Sequence, residues 1–175
     1  MSYYVFIINN EINGKGQCPC TADNLECIEI SEEVYNNLDK YIYSDGEIVE
    51  NPNYNNILLE QAKSDKIAEN DRLRDEALLS GVTYENVLFD SDTDQKANLI
   101  GTVFAMPDDM TITWYGMDNQ GLLCTKADLM AIGGLITELH SYCWNLNAYI
   151  KEQINNASTL EDLDEVIINY DRANT

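Results

Sequence analysis

From residue 129 to residue 150, apolar side chains recur three and then four positions apart: Leu129, Ile132, Ile136, Leu139, Cys143, Leu146 and Ile150. An α-helix, at 3.6 residues per turn, brings those positions onto one face. Such a stripe has to be buried, so the fold must supply either a layer of its own or a second helix from another chain. Thr125 with Asp128 resembles a capping box, with Asp in place of the usual Glu, and sets where the helix begins. Gly133 and Gly134 in its middle cost about 2 kcal/mol relative to two alanines, and close packing against a neighbour is expected to offset that. An intermolecular coiled coil is open to this stripe. Packing within the domain, on a helix at 94–105 and a sheet, is favoured, because a lone helix would also expose Tyr142, Trp144 and Tyr149.

The preceding segments supply candidate layers. Thr83-Tyr84 and Val87-Leu88-Phe89 read as strand pairs across Glu85-Asn86, a two-residue turn lacking the glycine that favours one. Asp92 or Thr93 caps a helix with Ala97, Ile100, Val103 and Phe104 on one side, ending before Pro107. Residues 111–115 and 122–124 form a second hairpin, and Ser158 with Glu161 opens a last short helix through Leu160, Leu163 and Ile167.

The N-terminal part alternates differently. Residues 3–8 and 26–30 are strand-like with a loop at 12–24 between them, Ser31 caps a short helix, and a hairpin turns at Ser44-Asp45-Gly46. Residues 54–79 are helical in propensity and densely charged without a strict heptad, an exposed connecting helix stopped by Gly81. The expected fold is therefore α+β in three parts: a small β-rich docking unit at 1–52, a charged connecting helix at 53–80, and a domain at 81–175 of short β-hairpins packed on the long amphipathic helix.

Charge narrows the function. Ten Lys plus Arg against 31 Asp plus Glu give a net charge of −21, which repels phosphate backbones and anionic headgroups. Nucleic-acid and membrane-surface partners are not expected; a basic protein or a simply solvated surface is. No apolar run reaches the length of a membrane span, and no basic-then-apolar leader opens the sequence, so synthesis in the cytoplasm is expected. The five cysteines, Cys18, Cys20, Cys27, Cys124 and Cys143, fit reduced thiols better than a disulfide framework.

Candidate chemistry is sparse, and neither an enzyme nor a bound cofactor is expected. His140 is the single histidine and has no HxxxH or HExxH companion. Cys18, Cys20 and Cys27 lack a local fourth metal ligand. Asp90, Asp92 and Asp94 open like a calcium loop, but Gln95 stands where the turn needs Gly and Gly101 where a bidentate Glu is required. Phosphate-binding glycine motifs are absent, no carboxylate pair stands out, and Trp114, Tyr115 and Trp144 serve a core as readily as a sugar.

The stretches VTYENVLFDSDTDQKANLIG, ITWYGMDNQGLLCTKADLMAIGGLI and WNLNAYIKEQINNASTLEDL resemble an uncharacterised domain of phage and prophage tail-fibre-like proteins, over about residues 72–170. The Glu85-Asn86 turn departs from the Asn-Gly version of that pattern. The resemblance implies a virion tail component, a baseplate or tail-fibre-associated protein working by protein–protein interaction, and it carries no catalytic residues. The alternatives are an assembly chaperone absent from the mature particle and a host-glycan-binding module. Expected partners are other tail proteins and further copies of the chain, a trimer by analogy with fibres. Expected contact residues are Leu129, Ile132, Ile136, Leu139, Leu146 and Ile150 of the seam, with Trp114 and Tyr115.

Overall fold

A computed structural model describes residues 1–22 and 24–171. The fold is α+β, and the chain divides into two compact units, 1–60 and 61–175. The division falls inside the charged helix, not at its two ends as the three-part reading had it. Residues 172–175, the tail of the expected third part, lie outside the described residues.

In the first unit, β1 (Tyr3–Ile8) is the centre of an antiparallel sheet flanked by β2 (Glu11–Gly16) and β3 (Glu26–Ile30). Asn9 and Asn10 turn β1 into β2 with φ of 52° and 66°, the left-handed pair that suits a two-residue hairpin. β2 falls where a loop was expected, because Asn13, Gly14 and Gly16 carry poor strand propensity. The glycines serve the packing: a Cβ on Gly16 would sit 2.9 Å from Phe6 Cζ, so the Phe6 ring needs the bare backbone. Ser31 caps α1 (Glu32–Asn36) by accepting from Val34 N. A hairpin of β4 (Tyr41–Ser44) and β5 (Glu47–Glu50) follows, with Asp45 and Gly46 both left-handed.

The helix α2 (Tyr54–Leu78) runs across the division. In the second unit come the hairpin β6 (Val82–Tyr84) and β7 (Val87–Phe89), helix α3 (Thr93–Ala105), the hairpin β8 (Thr111–Tyr115) and β9 (Gly121–Thr125), helix α4 (Lys126–Asn156) and the short α5 (Leu160–Asp164). The β6–β7 turn takes its left-handed pair without glycine, at Glu85 (49°) and Asn86 (62°). Asp92 caps α3, and Thr125 with Asp128 forms the full capping box of α4. The last box lies one residue later than expected, Thr159 with Asp162, and α5 ends before Ile167, which stays exposed.

The core of this unit collects Val82, Val87, Phe89, Leu99, Met106 and Cys124 around the α4 stripe. α4 is flanked along its two halves. Leu99 meets Gly133, where a Cβ would stand 2.9 Å from Leu99 Cδ2, and Lys126 pairs with Asp108, so α3 runs antiparallel to the N-terminal half. Lys63 Nζ donates to Asn155 O and Asn70 Nδ2 to Asn147 O, so α2 runs antiparallel to the C-terminal half.

Candidate functional site

The expected contact residues of the seam are core. Leu129, Ile132, Ile136, Leu139 and Ile150 are all buried, Leu146 is half-buried, and Asn147 takes the buried place beside it. The layers of the unit satisfy the stripe internally, so it is not available to a partner chain. Trp114 and Tyr115 are divided by strand alternation: Trp114 packs on the core, whereas Tyr115 points outward at 63% exposure. Adjacent residues of one strand face opposite sides, so these two rings cannot make a single stacking platform.

The candidate chemical groups are spent locally. His140 Nε2 lies 2.7 Å from Ser91 O, and a carbonyl only accepts, so that nitrogen carries the proton and donates it. Ser91, itself buried, accepts from Gly81 N and donates to Leu78 O. Asp92 Oδ1 accepts from Gln95 N as the cap of α3. Among the described residues no three His, Cys, Asp or Glu side chains are grouped to hold a metal.

A polar seam joins α2 to α4 and was not expected. Asn70 is 0% exposed; its Nδ2 donates to Asn147 O at 3.1 Å and its Oδ1 accepts from Tyr170 Oη at 2.7 Å. Asn147 Nδ2 donates to Asp71 Oδ1, and Lys151 and Arg74 both pair with Asp71. Burial works to raise the Asp71 carboxyl, but the hydrogen bonds from Lys151 and Asn147 and the Arg74 charge outweigh it and hold it below the usual aspartate range. The Arg74 guanidinium lies 4.3 Å from the centre of the Trp144 ring. Among the described residues no buried side-chain nitrogen or oxygen lacks a partner. Each member is satisfied within the unit, which gives the seam a structural role in aligning the two helices.

What is left unsatisfied is apolar. Sequence periodicity put Ala97, Ile100, Val103 and Phe104 on one side of α3; Leu99 is the residue that enters the core, with Val103 packed against it, while Ala97, Ile100 and Phe104 are exposed. The helix is rotated so that Phe104 stands 91% exposed and Ile100 58% exposed, with Met130 of α4 beside them at 60%. It is Leu99 that makes the close approach to Gly133 of α4. Between α3 and α4 these side chains line a groove of about 330 Å³ with Val103, Gly133 and Thr137. Soluble domains seldom leave such a patch uncovered unless something binds it. The signal in the sequence was a choice between two overlapping stripes, 99–103–106 and 97–100–104, which periodicity alone does not resolve.

Residues 61–170 match the model of a family described as "Domain of unknown function (DUF4376)". The match begins where the second unit begins and contains both the polar seam and the groove. No curated protein and no solved structure matches the chain.

Proposed function

We propose, from the premise that this chain belongs to the DUF4376 family, that it is a structural component of a phage or phage-derived tail, associated with the baseplate or a tail fibre, and acts by protein–protein interaction. The observation that carries the interaction reading is the uncovered apolar face of α3, where Phe104 is 91% exposed over a groove shared with α4. The placement in a tail rests on the resemblance carried by residues 72–170. The glycan-binding alternative draws no support from Trp114 and Tyr115, which face opposite sides of their hairpin.

The test is mass spectrometry of particles purified from a strain encoding the chain, by gradient centrifugation after induction. The chain is expected at a fixed ratio to other tail proteins. Its presence in the lysate together with its absence from the particles would overturn the reading in favour of an assembly factor.

A further inference from the structure

We infer that residues 166–171 form an exchangeable strap: in one chain they lie in the groove between α2 and α4, and the same strap of a second copy can take their place there. The inference goes beyond the tail reading and needs only copies of this chain.

After α5 the chain leaves regular structure and runs back along α4, from the neighbourhood of Tyr149 and Gln153 at Val166 to that of Leu139 and Leu73 at Tyr170. Its side chains alternate as those of a strand do. Val166, Ile168 and Tyr170 are half-buried, whereas Ile167 is 79% exposed and Asn169 is exposed. Among the described residues no backbone–backbone hydrogen bond ties residues 167–171 to any other element. The outer side chains face solvent, so nothing lies over the strap, and open hollows of about 480 and 620 Å³ border its two ends. What holds it is three inner side chains and one hydrogen bond, from Tyr170 Oη to Asn70 Oδ1. These are set against the entropy of ordering six residues, which places the strap among the segments that open locally. Its base stays fixed: Thr159 with Asp162 caps α5, Leu163 is buried, and Lys66 donates to Leu163 O. The hinge therefore falls at Glu165 and Val166.

The groove that the strap leaves specifies what refills it. Asn70 is 0% exposed and its Oδ1 has Tyr170 as hydrogen-bond donor, so with the strap out a buried carbonyl oxygen loses its partner. An occupant has to bring two apolar side chains at alternate positions and then a donor in the place of the Tyr170 hydroxyl. Charge adds a second requirement. Lys63, Lys66, Arg74 and Lys151 stand along this seam, four of the ten Lys and Arg of the chain. The segment laid toward it, EDLDEVIINYD at 161–171, carries five acidic residues and no basic one. An acidic extended segment with two alternate apolar residues and a tyrosine meets both requirements, and every copy of this chain carries one. With the hinge short and its base fixed, exchange brings two bodies together about a two-fold axis, each strap in the other's groove.

The test uses the full chain and a fluorescein-labelled peptide of residues 165–171. By fluorescence anisotropy the peptide is expected to bind the Tyr170→Ala chain at least about tenfold more tightly than the native chain, whose own tethered strap competes for the groove. Tyr170→Phe keeps the ring while losing the bond to Asn70, and should give a smaller gain in the same direction. The Tyr170→Ala version of the peptide should bind at least about tenfold more weakly than the native one. Ile167→Ser, on the outer side of the strap, should change nothing. For the second copy, light scattering of the concentrated native chain is expected to show a dimer that Tyr170→Ala removes and excess free peptide dissociates, while Phe104→Ala leaves it intact. No peptide binding to either Tyr170 variant, or equal binding to native and variant chains, would overturn the exchange. A native chain that stays monomeric at millimolar concentration, or a dimer removed by Phe104→Ala and not by Tyr170→Ala, would overturn the second copy as occupant.

Discussion

Asn70 has charged neighbours on both sides in the sequence, yet it is the most deeply buried residue of its helix. Its amide is bonded at both ends, to Asn147 O and to Tyr170 Oη. Asn70→Ala would remove both bonds and the buried amide that joins α2 to α4 and should cost about 1–3 kcal/mol; Tyr170→Phe keeps the ring and should cost about 1 kcal/mol. Urea denaturation of the two variants should show that order, and no loss from Tyr170→Phe would mean that the hydroxyl bond does not hold Asn70 in place. Tyr84 Oη donates to Asp128 Oδ1 at 2.7 Å, and this hydrogen bond, with burial, pushes the Tyr84 hydroxyl up to about 12. A group whose pKa is raised on folding contributes stability in full below its unfolded value of about 10, and that contribution disappears as pH rises from there to about 12. Asp128 shifts the other way. Its hydrogen bonds from the Thr125 side chain, Tyr84 and the Thr125 backbone hold it below the usual aspartate range, so its contribution is present above that range and lost as pH falls through it. The stability advantage of the native chain over Tyr84→Phe should be constant from about pH 6 to 9 and shrink between about 10 and 12. Thermal melts across that window check it; a constant advantage to pH 12 would show that the hydroxyl is not held by Asp128.

At the scale of elements, α4 separates its two glycines. At Gly134 a new Cβ meets nothing within 4 Å, whereas at Gly133 it would stand 2.9 Å from Cδ2 of buried Leu99. Alanine gains about 1 kcal/mol of helix propensity over glycine at either site. Gly134→Ala should therefore raise stability by about that amount. Gly133→Ala should lose it again, and more, to overpacking of about 1–3 kcal/mol. Thermal melts that found the two variants equal would remove the Leu99 contact as the difference between the two sites. The close packing expected of the glycine pair is thus real for one member only. Several elements were legible in advance because their signals are local: the Ser31, Asp92 and Thr125 caps, the α4 stripe, and the hairpins of β4–β5, β6–β7 and β8–β9. α2 was legible as a helix and not as a packed one. Its inner side mixes polar and apolar residues, with Lys63, Lys66, Asn70 and Arg74 alternating with Leu59, Ala62, Ile67, Leu73, Ala77 and Leu78. Lys63 and Lys66 reach Asn155 O and Leu163 O, and Asn70 and Arg74 complete the seam. Periodicity of hydrophobic residues blurs where half of a face is satisfied by hydrogen bonds.

Across the whole molecule, the charge of −21 and the division at residue 61 set what the chain can do. The acidic excess says little about the fold, since it acts over distances longer than any single contact. No helix of the described residues is long and apolar enough to cross a membrane. The sequence alone determined the α+β class, the capped ends of α3 and α4, and the fact that the Leu129–Ile150 stripe had to be covered. Each of these depends on neighbours a few residues away, whose dihedral and capping preferences are the same wherever the segment lies. Only the tertiary structure decided what covers that stripe, which of two overlapping faces α3 buries, and that α2 is held by amides and charges. Those outcomes depend on contacts such as Leu99 with Gly133 and Asn70 with Asn147, between residues 34 and 77 positions apart. Contacts at that separation in sequence are set by the packing of whole elements, which local preferences do not encode.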